Sequence, residues 1–191
     1  MIRALIFDCF GVLYHGSLAH LRELTSPDDW RALEDLRVAY DRGFIAIADY
    51  YSGLSELIGK TPDEIDHMMR SDHIRNEPLI DFIRTHRKEY KIALLTNIGT
   101  ELLNRLFSPE EQTDFFDVVV ESNKTGMLKP YPEIYMYAVE KLGLTPQECL
   151  MIDDLETNID GAEAVGMRGI VFHTVSQFET DLRVILEDQH A

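Results

Sequence analysis

The chain has few cysteines and no long apolar run. Its two cysteines, Cys9 and Cys149, lie in separate apolar segments without a C-x-x-C spacing, so neither a disulfide nor a metal knuckle is indicated. The N-terminal apolar run is interrupted at Asp8 before a signal-peptide core could form, and no stretch reaches the roughly 18 apolar residues of a membrane span. We therefore expect a soluble, cytoplasmic protein with no membrane partner.

Positive charge is also scarce. The sequence has 18 basic and 34 acidic residues, and its formal net charge is −16. Long-range repulsion then disfavours nucleic acids as partners. A small anionic substrate is still compatible with this charge, because the Debye length is only about 8 Å at physiological salt and local cations can dominate a pocket. Composition leaves both a monomer and a dimer open.

After Pro78, short apolar segments alternate with amphipathic ones. This alternation predicts an α/β fold with a doubly wound parallel sheet, in which ligands bind beyond the carboxyl ends of the strands. Strands are predicted at 2–7, 91–95, 117–120, 149–152 and 169–172, and helices after Pro78 through Ile83 and at 101–107, 132–142, 158–165 and 176–187.

From Leu18 to about Ile74 the pattern is helical. Apolar residues recur every three or four positions, and a capping box with proline at the first helical position begins at Thr61. This stretch carries no strand signal. We expect residues 14–76 to form a small helical cap over the edge of the sheet, and residues 1–13 and 77–191 to form the α/β core.

Polar residues gather where the predicted strands end or in the loops that follow. A carboxylate at Asp8, after an apolar strand, is costly to bury unless a cation or hydrogen-bond donors compensate. Asp153 and Asp154 are adjacent carboxylates that repel each other unless a divalent cation neutralises them, and Mg²⁺ suits oxygen ligands. The sites of this kind are Asp8, Thr96-Asn97, Lys129 and Asp153-Asp154.

Each of these sites also has an ordinary structural explanation. Asp8 could cap a turn before Gly11, either member of the Asp pair could cap the next helix, and Lys129 could lie on the surface. Thr96 and Asn97 could form an N-cap, or they could hold phosphate oxygens with their hydroxyl, amide and backbone N–H groups. The combination indicates phosphoryl transfer more strongly than any one site.

The order Asp, Thr-Asn, Lys, Asp-Asp resembles that of the haloacid dehalogenase-like (HAD) superfamily over nearly the whole chain. The insert is similar to the helical cap of its subfamily IA-like phosphatases, and the segment beginning Asp41-Arg42-Gly43 resembles the stretch that leads into a cap helix in sugar-phosphatase-type members. The matching segments are Phe7-Asp8-Cys9-Phe10-Gly11-Val12-Leu13, Leu94-Leu95-Thr96-Asn97, Leu128-Lys129-Pro130 and Ile152-Asp153-Asp154-Leu155-Glu156-Thr157-Asn158.

The resemblance implies a Mg²⁺-dependent phosphatase that hydrolyses a small phosphorylated metabolite such as a sugar phosphate. Asp8 would attack phosphorus to give an aspartyl phosphate, as in other covalent mechanisms that divide one hard step into two. Thr96, Asn97 and Lys129 would hold the transferring oxygens, whose distributed negative charge fixed donors can stabilise.

The resemblance also implies a metal site. Mg²⁺ would bridge Asp8, the backbone carbonyl of Phe10 and Asp154, and Asp153 would bind it directly or through water. Asn158 would steady the loop that carries the two aspartates.

Phe10 departs from the family pattern. Most phosphatases of the superfamily carry a second Asp two residues after the nucleophile, and a phenyl ring cannot take over its proton transfers, which are typically worth about 10²–10⁴-fold in rate. The enzyme would then act on substrates with good leaving groups, or recruit a proton donor from water, the cap or the substrate. His15 is a candidate donor. His67 and His73 are predicted to be surface residues.

Two other functions stay open. Haloacid dehalogenases of the superfamily carry an aromatic residue at the position of Phe10 and need no acid for the leaving halide, but they work without Mg²⁺ and lack the pair Asp153-Asp154. The chain could also be a weakly active phosphate-binding or metal-binding module whose acidic surface engages a partner.

Overall fold

The computed structural model describes residues 1–16 and 18–188. Five of its strands form one parallel sheet in the order β5-β4-β1-β6-β7. The predicted α/β fold with a doubly wound parallel sheet is therefore confirmed. In chain order the strands are β1 (Ala4–Phe7), β2 (Tyr14–His15), β3 (Ile74–Arg75), β4 (Lys91–Thr96), β5 (Val118–Glu121), β6 (Cys149–Asp153) and β7 (Arg168–Val171).

Helices cover both faces of the sheet, so its strands are apolar on both sides. On β1, Leu5 and Phe7 pack into one face of the core and Ala4 and Ile6 into the other, as the two-residue period of a strand requires. The helices are α1 (Leu18–Leu24), α2 (Trp30–Asp41), α3 (Ile47–Ile58), α4 (Pro62–Asp72), α5 (Glu77–His86), α6 (Leu102–Leu106), α7 (Pro109–Phe115), α8 (Ser122–Thr125), α9 (Pro132–Leu142), α10 (Glu156–Ala164) and α11 (Val175–Glu187).

The helices α1 to α4 lie between the two short strands β2 and β3, which pair antiparallel. Aromatic and aliphatic side chains from α2, α3 and α4 form a core of their own, which includes Leu33, Tyr50, Leu54 and Ile65. The expectation that the helical stretch carries no strand up to residue 74 is wrong at its end, because two residues are too few to show an alternating pattern. The cap bounds of 14–76 stay a prediction, and residues 189–191 of the expected core lie outside the described residues.

Two short helices were not among the predicted elements. Helix α7 begins after Ser108, whose side chain accepts a hydrogen bond from the Glu111 backbone N–H at 3.2 Å in a capping box with proline at the first helical position. The sequence Ser-Pro-Glu-Glu carries that signal. Helix α8 is a single turn and has no such signal. None of the helices in the described ranges is long and apolar enough to cross a bilayer.

Candidate active site

Lys129 lies between two carboxylates at the carboxyl edge of the sheet. Its Nζ is 2.8 Å from Asp8 Oδ1 and 2.6 Å from Asp153 Oδ2. All three residues are buried. Burial alone would lower the pKa of the Lys129 ammonium, but Asp153 and Asp8 hold that pKa above its ordinary value. One fixed positive charge therefore stabilises two carboxylates that come from different strands.

Asp8 follows β1 directly. Besides the contact with Lys129, its Oδ1 accepts a hydrogen bond from the Cys9 backbone N–H at 2.6 Å. Burial raises the pKa of Asp8 well above its ordinary value, Lys129 opposes this rise, and Asp153 and Asp154 add to it. The carboxylate form, which is the nucleophilic form, therefore needs more positive charge than Lys129 alone supplies.

Asp154 completes a group of three carboxylates. Oxygen atoms of Asp8, Asp153 and Asp154 all lie within 4.8 Å of one another. Burial and the neighbouring Asp153 both raise the pKa of Asp154. Three acidic groups and one ammonium form a site with many oxygen ligands and an excess of negative charge. This set of ligands suits a hard divalent cation such as Mg²⁺.

Gly11 makes room for Asp154. Its φ is +83°, and a Cβ built on it would lie 2.2 Å from the Asp154 carboxyl carbon. Only glycine combines this backbone conformation with such a close approach. Sequence reasoning treated Gly11 as part of a turn and missed its contact with the second aspartate of the pair, because the two residues are far apart in the chain.

Asp153 uses both of its carboxylate oxygens within the protein. Oδ2 meets Lys129, and Oδ1 accepts hydrogen bonds from Asn158 Nδ2 at 2.9 Å and from the Leu155 backbone N–H at 3.0 Å. Asn158 is in turn anchored by Tyr135, whose hydroxyl donates to the Asn158 carbonyl at 2.7 Å. The structure thus places Asn158 against the loop that it was predicted to steady, and Asp153 orients Lys129.

Thr96 and Asn97 lie at the end of β4, close to the Lys129 loop. The Asn97 side chain donates to the Lys129 carbonyl at 3.0 Å and accepts from the Lys129 backbone N–H at 2.9 Å. This pair of bonds holds the Lys129 loop against the strand end, a role that sequence reasoning did not assign to Asn97. The buried Thr96 hydroxyl has one long contact, 3.5 Å, with the Asn97 carbonyl.

Phe10 packs against a histidine of the cap region. Its ring centroid is 5.2 Å from that of His73, with 35° between the planes. His73 is half-buried, so its prediction as a surface residue is wrong, and burial lowers its pKa. His15 and His67 are exposed, and Cys9 is part of the core as predicted.

The end of α2 lies directly on the loop that follows Thr96 and Asn97. The Tyr40 hydroxyl donates to the Thr100 carbonyl at 2.8 Å, and a Cβ on Gly99 would lie 2.0 Å from the Tyr40 ring. The Ser122 hydroxyl donates to the Asp41 carbonyl at 2.5 Å and accepts from the Ile98 N–H at 2.8 Å. Ser122 also follows a strand of the sheet, so the strand-end rule applied to the other sites could have found it.

Comparisons with known proteins agree with this geometry. The family model described as haloacid dehalogenase-like hydrolase matches residues 2–166. The sesquiterpene phosphatase astK of Aspergillus oryzae is 28% identical over 180 residues, which cover 88% of this chain and 88% of the relative. The (S)-2-haloacid dehalogenase of Xanthobacter autotrophicus is 26% identical over 185 residues, which cover 87% of this chain and 73% of the relative.

A solved structure shares the fold. It is an HAD family enzyme of Bacteroides thetaiotaomicron in complex with magnesium and inorganic phosphate. The two structures align with a TM-score of 0.76 and 23% sequence identity, over 93% of this chain and 99% of that chain.

Proposed function

This chain belongs to the haloacid dehalogenase-like hydrolase family, and on that premise we propose that it is a Mg²⁺-dependent phosphatase of a small phosphorylated metabolite. The observation that carries the proposal is the group of Asp8, Asp153 and Asp154 around Lys129, with oxygen atoms of the three carboxylates within 4.8 Å of one another. A cytoplasmic location and the absence of a nucleic-acid partner belong to the same proposal.

Within this proposal, Asp8 attacks phosphorus and forms an aspartyl phosphate, which water then hydrolyses. The Lys129 ammonium is 2.8 Å from the Asp8 carboxylate. It can therefore stabilise negative charge on that carboxylate before the attack and on the transferring oxygens during it. Thr96 presents a buried hydroxyl to the same phosphoryl group. Both polar atoms of the Asn97 side chain form hydrogen bonds with the Lys129 backbone, so Asn97 acts by holding Lys129 in place.

Asp8, Asp154 and the backbone carbonyl of Phe10 are the groups that would hold Mg²⁺, and Asp153 would reach it through water because its own oxygens already accept three bonds. When bound, the cation supplies the positive charge that favours the ionised form of Asp8 and neutralises the transferring phosphoryl group. The magnesium in the related Bacteroides structure supports this choice of metal.

Haloacid dehalogenation is the second candidate, and Phe10 and the Xanthobacter relative favour it. Its substrate is a carboxylate, however, and without Mg²⁺ it would enter a site where three acidic side chains face one ammonium. Release of halide from a 2-haloacid in the absence of Mg²⁺ would establish this function in place of the phosphatase.

Hydrolysis of 4-nitrophenyl phosphate tests the phosphatase proposal. We expect turnover with Mg²⁺, none in EDTA, and a loss of at least about 10⁴-fold in Asp8→Asn, because the amide is not a nucleophile. Asp160→Asn makes the same change at an exposed position and should keep full activity. Metal-loaded wild-type protein that releases no nitrophenol would exclude the proposal, and slow turnover that survives in Asp8→Asn would indicate a phosphate-binding module.

A further inference from the structure

Asp41 is a buried carboxylate outside the group around Lys129. It is the last residue of α2 and is 6% exposed. Its Oδ2 accepts a hydrogen bond from Arg37 Nη1 at 2.5 Å. Among the described residues, none donates a hydrogen bond to its other oxygen, Oδ1. A buried carboxylate with one oxygen not engaged by the protein is available to a bound ligand.

The position of Asp41 is set by contacts between the cap region and the core. Its carbonyl is joined through Ser122 to Ile98, which follows Thr96 and Asn97 in the chain. Two residues on, Gly43 lies so close to Asn123 that a Cβ would be 2.6 Å from the Asn123 carbonyl oxygen. The end of α2 is therefore seated on the loops that border the candidate phosphate site.

Burial keeps the proton on Asp41 to a higher pH than is usual for a carboxyl group. Burial raises its pKa to about 6, Arg37 and Lys129 act to lower it, and Glu34 acts to raise it. Tyr50, from α3, is the other titratable group that interacts with it. A proton donor works best when its pKa lies near the working pH. Lys129 lies close enough to Asp41 for its charge to act on that pKa.

We propose that Asp41 is the residue that protonates the leaving group, in place of an acid at the position of Phe10. In phosphoryl transfer the leaving oxygen departs opposite the nucleophile. Asp8 approaches from the sheet, so the leaving oxygen departs towards the cap region, where Asp41 lies. The inference rests on the phosphatase function proposed above and supplies the proton donor that this function lacks.

Protons and bonds balance over the two steps. First, the bond from phosphorus to the leaving oxygen breaks as Asp8 bonds to phosphorus, and the Asp41 carboxyl proton passes to that oxygen, which leaves as an alcohol. Then the Asp41 carboxylate takes a proton from water as the water oxygen bonds to phosphorus and the bond to Asp8 breaks. The products are the alcohol and inorganic phosphate, and Asp41 regains its proton.

The test compares two substrates in two variants. Glycerol 2-phosphate has a poor leaving group that needs a proton, whereas 4-nitrophenyl phosphate has a good one. In Asp41→Asn we expect kcat/KM for glycerol 2-phosphate to fall by about 10²–10⁴-fold, and that for 4-nitrophenyl phosphate to fall by about tenfold at most. Asp35→Asn, an exposed position on the same helix, should change neither value.

Equal losses on both substrates would assign Asp41 a structural role and overturn the inference, as would full activity on glycerol 2-phosphate. Either result would leave the phosphatase function standing, because wild-type turnover of 4-nitrophenyl phosphate is measured in the same experiment. A wild-type protein that turns over neither substrate would instead overturn the phosphatase function together with this inference.

A second variant keeps the inference testable if Asp41→Asn does not fold. Arg37 lowers the pKa of Asp41, so Arg37→Gln should raise it. The value of kcat/KM for glycerol 2-phosphate falls at the pH where the free enzyme loses the donor proton, and this alkaline limb should move to higher pH. A limb that stays in place in Arg37→Gln would overturn the inference.

Discussion

The two sides of the candidate site hold their carboxylates in opposite ways. On the sheet side, Asp153 accepts bonds from Lys129, Asn158 and Leu155, and both of its oxygens are engaged. On the cap side, Asp41 is also buried, but Arg37 engages only one of its oxygens. Full engagement holds Asp153 and Lys129 in place, whereas in our proposal the partial engagement of Asp41 leaves it able to exchange a proton.

The difference has a physical origin in the chain. The sheet-side groups end parallel strands or lie in the adjoining loop, where neighbouring backbones determine their spacing. The cap-side groups lie on a helix whose position depends on a few contacts, such as that from the Tyr40 hydroxyl to the Thr100 carbonyl. We therefore expect substitutions on the sheet side to affect stability more strongly than those on the cap side.

The largest effect on stability should come from removing the Lys129 ammonium that Asp8 and Asp153 share. In metal-free protein, Lys129→Met leaves Asp8 and Asp153 buried without their ammonium, and we expect the free energy of unfolding to fall by about 3–5 kcal/mol. Urea unfolding in EDTA measures the change. Lys88→Met, at an exposed position, should stay within about 0.5 kcal/mol of the wild type. A Lys129→Met variant as stable as this control would contradict the view that the sheet-side charges depend on each other.

A smaller effect should follow from crowding Asp154. Gly11→Ala adds a Cβ where the Asp154 carboxyl lies, so we expect Mg²⁺ affinity to fall by about 10- to 100-fold, in addition to a backbone cost of about 1–2 kcal/mol. Isothermal titration calorimetry with Mg²⁺ measures the affinity. Gly59 has φ +69° and no atom within 4 Å of an added Cβ. Gly59→Ala should thus show the backbone cost alone, and equal Mg²⁺ affinities in the two variants would argue against a metal role for Asp154.

The smallest effect should be the contribution of Asp41 to the pH dependence of the free energy of unfolding. Folded protein keeps the Asp41 proton up to about pH 6, whereas the ordinary carboxyl value is 3.8. The folded state then binds more protons in this window, so Asp41 lowers the free energy of unfolding as pH rises from about 4 to 6, by at most about 1.4 kcal/mol per unit.

Urea unfolding at several pH values tests this contribution. In Asp41→Asn the free energy of unfolding should fall less steeply between about pH 4 and 6 than in the wild type. Asp35→Asn, on the same helix, should show the same pH dependence as the wild type. An identical pH slope in Asp41→Asn and the wild type would mean that Asp41 is ionised throughout this range and would contradict the prediction.

Much of the sheet side could be predicted from the sequence, because strand ends are visible as the points where apolar segments stop. Asp8, Thr96 and Asp153 each follow or end such a segment, and parallel strands bring their carboxyl ends to one edge. The same reasoning misjudged His73, since burial against Phe10 depends on how the chain returns from the cap region. It also could not assign the Asn97 side chain to Lys129, which is a contact between two loops.

The sequence by itself determined the fold class and the charged residues that follow the strands at the sheet edge, because hydrophobic period and residue order encode them locally. Only the tertiary structure decided that Gly11 admits Asp154 and that the Asp41 carbonyl at the end of α2 meets the Ser122 hydroxyl. Asp41 and Ser122 are 81 positions apart. Contacts at such separation follow from the packing of one element on another, and no local pattern in the chain records them.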